Sequence, residues 1–311
     1  MSDRSYHITR RTFILGSGIF AAAIAFAPGG LMGEVRAPIR RAIPSTGEQL
    51  PVIGMGTSRT FDATQDSAIG SQLTEVMQVF FESGGRLIDS SPMYGRAESM
   101  VGDLLNATGN HANVFAATKV WTDGRQNGVE QMQQSMQRIG VDVMDLMQVH
   151  NLRDWQTHLP VLKQWKEQGR FRYIGITTSH GRYHDEFEKL MQTQDLDFVQ
   201  FTYNLENRVA EKRLLPIAAD RGIATLINRP FERGDLFRKV KGVPLPEWSG
   251  EFDCRSWGHF FLKFIVSHPA VTCVIPATTK VHHMKDNMGA GYGRLPDAAM
   301  RERMLAFYAS I

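Results

Sequence analysis

The chain has 311 residues, of which 42% are apolar and 22% are charged, and its formal net charge is +3. This length allows one large domain or two small ones, and the apolar fraction can fill a sizeable core. The excess of basic over acidic residues lies before position 42, so the rest of the chain is close to neutral and offers no broad cationic face to nucleic acid or to an anionic membrane. Cys254 and Cys273 could pair, but they are expected to be buried structural thiols and say little about the redox compartment.

The first residues have the pattern of a twin-arginine signal peptide. A basic start contains the pair at 10–11, and an uncharged run rich in Gly, Ala and apolar residues follows over 16–33. Residues 1–37 are therefore predicted to be a targeting segment and residues 38–311 the mature domain. A membrane anchor or an amphipathic arm is the alternative, although the run is short and rich in Gly and Ala, and no other stretch is long and apolar enough to span a bilayer. The pattern predicts export by the twin-arginine machinery into a bacterial periplasm.

Beyond this segment, residues 39–50 alternate around a Ser-Thr-Gly-Glu turn, which predicts a small β-hairpin. Short strands rich in Val, Ile, Leu and Phe then alternate with helical patterns to the end of the chain. The predicted strands lie near 52–54, 86–88, 114–118, 143–149, 173–176, 198–201, 224–227 and 272–275. The predicted helices include 71–82, 128–139, 157–168, 185–193, 210–221, 257–268 and 298–309. Glycines stand where helices should end before the next strand, at Gly84, Gly140, Gly169 and Gly222.

Eight strands, each followed by a helix and with no break in composition, predict a single α/β domain. The count is that of a closed (β/α)8 TIM barrel, with the N-terminal hairpin as an addition that plugs its bottom. An open doubly wound sheet is the alternative. In a barrel the active site is built from the loops at the carboxyl ends of the strands.

Four ionisable side chains follow three successive predicted strands. Asp89 and Tyr94 come after the second strand, Lys119 ends the third inside an apolar run, and His150 follows the fourth. A lone His at a strand end is more often structural, and a Tyr beside Gly and Pro is most often a loop aromatic. Lysine, however, is rarely buried without a reason. From the spacing alone, a catalytic role and a structural role for these four side chains are about equally good interpretations.

The residues around these positions resemble those of the aldo-keto reductases. The sequence Ile-Asp-Ser-Ser-x-x-Tyr-Gly-x-Ala-Glu contains Asp89 and Tyr94, Ala-Thr-Lys-Val contains Lys119, and Val-His contains His150. The segment at 51–57 is similar to the family's first strand, and the resemblance continues to the end of the chain. It implies a (β/α)8 barrel that uses a nicotinamide cofactor to reduce an aldehyde or ketone, or to oxidise the alcohol.

The resemblance also implies roles for the four side chains. Tyr94 is expected to be the general acid, because an alkoxide that forms when a carbonyl accepts hydride needs a proton. A cation about 4 Å away, at an effective dielectric near 20, is worth roughly 4 kcal/mol, which is about three pKa units. Lys119 is therefore expected to lower the pKa of Tyr94, Asp89 to hold the ammonium in place, and His150 to orient the substrate carbonyl.

The stretch after the eighth strand is similar to the family's site for the adenosine phosphate, where helix amides and small hydroxylated residues suit anions. Thr278, Thr279 and Lys280 are expected to hold a 2′-phosphate, and His283, which is mostly neutral at pH 7, stands where the family often has Arg. NADPH is therefore preferred, with NADH as the alternative. The predicted cofactor residues are Thr57, Thr177, Thr178, Gln200, Asn228, Arg229, Pro230, Phe231, Ala277, Thr278, Thr279, Lys280, His283, Asp286 and Asn287.

Two loops depart from the family's pattern. Thr177 and Thr178 stand where Ser-Asn is usual for the nicotinamide amide. After the seventh strand, Asn228 replaces a Tyr that stacks on the nicotinamide ring, and Arg229 brings a guanidinium that is expected to reach a phosphate or a substrate carboxylate.

A function of another class also fits these residues. Free nicotinamide cofactor is scarce outside the cytoplasm, so an exported barrel that keeps the rim residues is also compatible with a non-catalytic binding or sensing module. Export in the folded state offers an enzyme a way to carry its cofactor out. We expect a small carbonyl substrate, a pocket walled by Trp121, Trp155 and Phe231, no metal, no nucleic-acid partner and a monomer.

Overall fold

The computed structural model describes residues 37–311, which form ten strands and eleven α-helices. The predicted signal peptide lies outside this part of the chain except for its last residue, and it stays a prediction. The strands are β1 (Arg40–Ala42), β2 (Gln49–Pro51), β3 (Met55–Gly56), β4 (Leu87–Asp89), β5 (Phe115–Val120), β6 (Met144–Val149), β7 (Phe171–Thr177), β8 (Phe198–Thr202), β9 (Ala224–Asn228) and β10 (Cys273–Val274). The helices are α1 (Ala68–Glu82), α2 (Ala97–Thr108), α3 (Arg125–Ile139), α4 (Trp155–Glu167), α5 (His184–Thr193), α6 (Val209–Lys212), α7 (Leu214–Arg221), α8 (Asp235–Lys239), α9 (Trp257–Val266), α10 (Val281–Gly289) and α11 (Ala298–Ala309).

Strands β3 to β10 pair in parallel, each with the next along the chain. The sheet closes at a seam between the first and last of them, where the Gly54 amide donates to the Val274 carbonyl at 2.8 Å and the Val274 amide donates to the Val52 carbonyl at 2.9 Å. An open doubly wound sheet would instead reverse its strand order. The predicted (β/α)8 barrel is therefore confirmed, and the alternative is wrong.

The seam brings two backbones close together at Gly56. A Cβ on this residue would lie 2.8 Å from the carbonyl oxygen of Ile275. Only glycine fits at such an approach without displacing the backbone. The Gly-Met-Gly sequence of the first strand is thus a condition of barrel closure.

The predicted hairpin is present and covers the lower end of the barrel. Its strands β1 and β2 pair antiparallel, and its Ile43 and Leu50 are fully buried with Leu87, Phe115 and Leu146 of the barrel strands. Alternation of apolar and polar residues places one face of the hairpin on the barrel interior. The hairpin plugs the bottom of the barrel, as its sequence position predicts.

Most predicted helices are found within a few residues of their predicted bounds, but the segment predicted as one helix at 210–221 is broken. Arg213 has φ −131° and ψ −64°, and it separates α6 from α7. Pro216 follows three residues later, and a proline ring clashes with the carbonyl four residues before it. A continuous helix would put that carbonyl, of Lys212, against the ring.

Three further observations concern only the residues that the structure describes. Cys254 and Cys273 are both buried free thiols. Within 37–311, no helix is long and apolar enough to cross a membrane. The same part of the chain contains no group of three or more His, Cys, Asp and Glu side chains that could hold a metal ion.

Candidate active site

The four rim residues lie together at the carboxyl ends of neighbouring strands. Asp89 ends β4, Lys119 lies in β5, His150 follows β6 directly, and Tyr94 lies in the turn between β4 and α2. The Tyr94 and His150 rings have centroids 5.8 Å apart, and the Lys119 ammonium is 5.3 Å from the centre of the Tyr94 ring. The chain thus brings together every side chain that the sequence singled out at this rim.

Lys119 is completely buried and is held by two oxygen acceptors. Its Nζ donates to Asp89 Oδ2 at 2.6 Å and to the Ser90 carbonyl at 2.6 Å. Burial alone lowers the pKa of a lysine, but Asp89 and Tyr94 outweigh it, and the pKa of Lys119 is raised above its usual value. The ammonium is therefore a permanent charge behind the Tyr94 ring.

The second Asp89 oxygen accepts hydrogen bonds from two buried amides. Gln148 Nε2 donates to Oδ1 at 3.2 Å and Gln200 Nε2 donates to it at 2.9 Å. Gln200 is one of the predicted cofactor residues, and in the structure its side-chain donor serves the Asp89 carboxylate. Gln148 was missed, although a Gln two residues before His150 in an apolar strand points to the same face as that histidine.

The pKa of Tyr94 differs from the expectation. Burial of the phenol raises its pKa above the usual 10.0, and the opposing effect of Lys119 does not overcome it, while Asp89 raises it further. The expected net lowering by Lys119 is therefore wrong for this structure, since the charge of Asp89 and the loss of solvent act against the ammonium. Tyr94 is a neutral phenol at neutral pH, which is the form that can donate a proton.

Ser91 fixes the orientation of the His150 ring. The Ser91 hydroxyl oxygen is 2.9 Å from His150 Nδ1, and it also accepts from the Met93 amide at 3.3 Å. Ser91 is fully buried, and Nδ1 is the one side-chain or backbone acceptor within reach of its hydroxyl proton among the described residues. Nδ1 therefore accepts that proton, so Nε2 carries the hydrogen of the neutral ring.

Burial, and then the charge of Lys119, lower the pKa of His150 well below 6.5. The imidazole is therefore neutral at physiological pH. Because Nδ1 is occupied, Nε2 is the hydrogen-bond donor that His150 can offer to the cleft it lines. Ser91 was not identified from the sequence as part of this site.

Tyr94 and His150 open into a cleft of about 900 Å³ on this face of the barrel. Most of the predicted cofactor residues line it: Thr57, Thr177, Thr178, Gln200, Asn228, Arg229, Pro230, Phe231, Ala277, Thr278, His283, Asp286 and Asn287. Lys119 lies behind the wall, and Thr279 and Lys280 do not line the cleft. Lining residues that the sequence did not single out include Ser58, Arg59, His180, Arg233, Phe237 and Trp257.

Asn228 has both ends of its amide occupied by protein partners. Its Nδ2 donates to the Thr178 carbonyl at 2.9 Å, and its Oδ1 accepts from the Thr202 hydroxyl at 2.7 Å. The Thr178 hydroxyl donates to the Arg182 carbonyl at 2.6 Å, and the Thr177 hydroxyl accepts from the Asn151 amide at 3.1 Å. These side chains brace the loops after β7 and β9, and their polar atoms are already paired.

The other end of the cleft lies at the start of α10. Thr278 and Asn287 are buried polar residues there, and the Thr278 hydroxyl accepts from the Lys280 amide at 3.0 Å. Asp286 is held by Ser256, another lining residue, which donates to its Oδ2 at 2.8 Å. Burial lowers the pKa of His283, so this residue adds no charge at neutral pH.

This arrangement fits a nicotinamide cofactor in its main features. The cleft is at the upper end of the range of about 300–1,000 Å³ for ligand pockets, and its lining includes both Tyr94 and, at the start of α10, Thr278 and His283. The free amides of that helix start, with Thr278, suit a phosphate group. The fit is weaker for a 2′-phosphate, because Thr279 and Lys280 lie outside the cleft lining.

The aromatic walls differ from the expected ones. Phe231 lines the cleft as expected, together with Phe237 and Trp257. Trp121 instead packs near the His150 ring at a centroid distance of 6.5 Å, and the indole nitrogen of Trp155 donates to Glu186 at 2.7 Å. The expected walls at Trp121 and Trp155 are therefore wrong, because their rings are held against other parts of the rim.

The model of the Aldo/keto reductase family matches residues 52–303. The chain belongs to this family. It is thus an aldo-keto reductase-type oxidoreductase, of a family that acts on carbonyl compounds with nicotinamide cofactors. The matched residues include every strand and α-helix from β3 to α10, which carry the rim and the cleft, and they begin just after the hairpin.

Individual relatives are distant. An aldo-keto reductase named YhdN from Bacillus subtilis is 29% identical over 214 residues, which is 64% of this chain and 64% of that protein. An NADH-specific methylglyoxal reductase from Escherichia coli is 28% identical over 185 residues, covering 49% of this chain and 54% of its own length. The crystal structure of an aldo-keto reductase from Klebsiella pneumoniae in complex with NADPH superposes with a TM-score of 0.72 at 19% identity, over 88% of this chain and 95% of that one. The last similarity shows the shared fold.

Proposed function

We propose that this aldo-keto reductase reduces an aldehyde or ketone, with Tyr94 as the proton donor. The observation that carries the proposal is the neutral phenol of Tyr94 beside the buried ammonium of Lys119, whose Nζ is 5.3 Å from the ring centre. A nicotinamide cofactor supplies the hydride when it is bound. The chain must then place the carbonyl carbon, supply a proton to its oxygen, and stabilise the charge that develops there.

His150 orients the carbonyl in this proposal. Its Nε2–H donates a hydrogen bond to the carbonyl oxygen, and Tyr94, whose ring centroid is 5.8 Å from that of His150, gives its proton to the same oxygen. The phenolate that remains is stabilised by Lys119, because the ammonium is fixed by Asp89 and cannot move away. The reverse sequence oxidises an alcohol.

We propose NADPH as the cofactor, with NADH as the alternative. The Klebsiella neighbour binds NADPH, and one E. coli relative is NADH-specific. In this chain, Thr278 and the amides at the start of α10 favour a phosphate, whereas neutral His283 weakens the preference for the 2′-phosphate. Titration of the purified protein with each cofactor, followed by quenching of protein fluorescence, measures the preference. A lower dissociation constant for NADH would reverse the assignment.

Steady-state assays with a panel of aldehydes and ketones test the reduction itself. We expect loss of reduced nicotinamide absorbance that depends on the carbonyl. A protein that binds NADPH but oxidises it with no carbonyl would be a binding or sensing module and would overturn the proposal.

We also propose that the protein works in a bacterial periplasm after export by the twin-arginine machinery. The support is the basic start at 10–11 and the apolar run behind it. Cell fractionation of wild type and of a variant with Arg10→Lys and Arg11→Lys tests this. Loss of the periplasmic pool in the variant is expected, and an unchanged distribution would contradict it.

A further inference from the structure

Met93 is the most exposed methionine among residues 37–311. It is 46% exposed, whereas Met300 on α11 is half-buried against the core and the other methionines of this part of the chain are buried. A thioether that packs in a core is shielded from oxidants in solution, because susceptibility to oxidation follows exposure. Met93 is therefore the thioether of the described chain that a soluble oxidant reaches most easily.

Met93 lies beside the catalytic residues. It directly precedes Tyr94 in the turn between β4 and α2, and both residues line the cleft that His150 also lines. The Met93 backbone amide donates to the Ser91 hydroxyl oxygen at 3.3 Å, and that oxygen lies 2.9 Å from His150 Nδ1. The backbone of Met93 is thus held by the contact that orients His150, while the residue remains open to solvent.

No step of the proposed reduction uses the Met93 sulfur. A leucine would supply similar apolar surface, and methionine and leucine replace one another at little cost in stability. What methionine adds at this position is a polarizable sulfur that a two-electron oxidant can attack.

We propose that Met93 is a site of oxidation by peroxides and that its sulfoxide reduces the turnover of apolar carbonyl substrates. The modification goes beyond the proposed function, and only its effect on turnover rests on that function. A sulfur lone pair attacks one oxygen of the peroxide, the O–O bond breaks and an S–O bond forms. The sulfur loses two electrons to the peroxide. The proton on the transferred oxygen passes to the departing oxygen, which leaves as water when the oxidant is hydrogen peroxide.

Oxidation changes the chemistry of the cleft wall beside Tyr94. The sulfoxide replaces an apolar, flexible thioether with a polar and chiral group. An apolar substrate that covers Met93 must remove water from the sulfoxide oxygen without offering it a hydrogen bond, and an unsatisfied polar group of this kind opposes binding. A polar substrate can hydrogen-bond to the same oxygen, so its binding is affected less.

The experiment combines a map of oxidation with kinetics. Wild type, Met93→Leu and Met300→Leu are treated with increasing concentrations of hydrogen peroxide, and peptide mass spectrometry then measures the added oxygen at each methionine and cysteine. Reduction of 2-naphthaldehyde, which is apolar, and of glyceraldehyde, which is polar, is assayed before and after treatment. NADPH affinity is measured in parallel by fluorescence titration. Met300→Leu is the matched control, because it removes a less exposed thioether on α11.

In the wild type, we expect Met93 to be oxidised about tenfold or more faster than Met300. The KM for 2-naphthaldehyde should then rise about tenfold, as for an unsatisfied polar group at the site, while the KM for glyceraldehyde and the NADPH dissociation constant change by less than about twofold. Met300→Leu should respond as the wild type does. Met93→Leu should keep the KM values of its own untreated sample, and a methionine sulfoxide reductase should restore those of the treated wild type.

Equal oxidation of Met93 and Met300 would overturn the inference, as would a KM for 2-naphthaldehyde that rises equally in treated wild type and treated Met93→Leu. Complete oxidation of Met93 with no change in KM would overturn its effect on turnover while leaving the proposed function intact. A wild type that reduces no carbonyl would refute the proposed function, and the oxidation map alone would then decide whether Met93 is the modified site.

Discussion

The hydroxyl oxygen of Ser91 lies 2.9 Å from Nδ1 of His150, and this contact decides which ring nitrogen can serve a substrate. The amide of Met93 donates to the same oxygen, so the serine proton is directed at the imidazole. The ring keeps its remaining hydrogen on Nε2. The proposed donor to the substrate carbonyl is thereby held in the tautomer that this role requires.

Ser91→Ala should release the ring from this tautomer. A hydrogen bond of about 1.4 kcal/mol corresponds to about tenfold in rate, so kcat for carbonyl reduction should fall by about that factor with little change in cofactor affinity. Nitrogen NMR of labelled histidine measures the tautomer directly. Ser179→Ala, which also changes a serine in the cleft lining, is the control. A wild-type spectrum with hydrogen on Nδ1 would refute the assignment.

Tyr94→Phe removes the proposed proton donor and little else. General acid catalysis contributes about 10²–10⁴-fold, so kcat should fall by that range while the NADPH dissociation constant stays within about twofold. Tyr183→Phe is the control, since Tyr183 is 56% exposed. Turnover by Tyr94→Phe at the wild-type rate would show that another group supplies the proton.

Lys119→Met should destabilise the fold strongly. The ammonium and Asp89 form a buried pair at 2.6 Å, and removing one partner of such a pair costs about 3–5 kcal/mol because the other charge is left uncompensated. Adding Asp89→Asn should recover much of that loss. Urea unfolding of both single variants and the double variant measures the coupling. Additive losses would mean that the pair does not act as a unit.

Stability should depend on pH through His150. Its pKa lies well below 6.5 in the folded protein, whereas in the unfolded chain it is about 6.5. Between these two pKa values the unfolded chain binds a proton that the folded protein does not. The free energy of unfolding must then fall as pH falls through this window. His150→Gln should show a smaller decrease than wild type between about pH 7 and about pH 5. The other histidines remain in both proteins, so equal slopes would contradict the prediction.

Ile43→Ala tests the hairpin as part of the barrel core. Ile43 is fully buried among the barrel strands, and truncation of a buried isoleucine to alanine costs about 2–5 kcal/mol. Ile69→Ala is the matched control, because Ile69 is 49% exposed and should cost less than about 0.5 kcal/mol. Equal effects on thermal unfolding would mean that the hairpin lies loosely against the barrel.

The barrel could be predicted from the sequence because its signals are local. Apolar runs predict the strands and helices, and glycines such as Gly140 and Gly222 predict where helices end. In the structure both glycines follow the last residue of a helix and have the left-handed conformation. Counting these units gives the fold. The convergence of Asp89, Lys119 and His150 follows from that count, since consecutive parallel strands are neighbours.

The remaining features depend on contacts between distant segments. The direction of the Tyr94 pKa follows from a balance of burial against Lys119, and burial cannot be read from a loop sequence. Asn228 is one of the predicted cofactor residues, but in the structure its side-chain amide hydrogen-bonds to the Thr178 carbonyl and the Thr202 hydroxyl. The break at Arg213 could have been anticipated from Pro216, whose missing amide and bulky ring are visible in the sequence.

Closure of the seam has a consequence for how the protein is made. The first barrel strand gains its second neighbour only when Val274 reaches it, so a nascent chain still held at the ribosome keeps two unpaired sheet edges for most of its synthesis. Unpaired edges are the usual starting point of aggregation. A chain that is truncated before β10 therefore cannot protect these edges, even though it contains Asp89, Lys119 and His150.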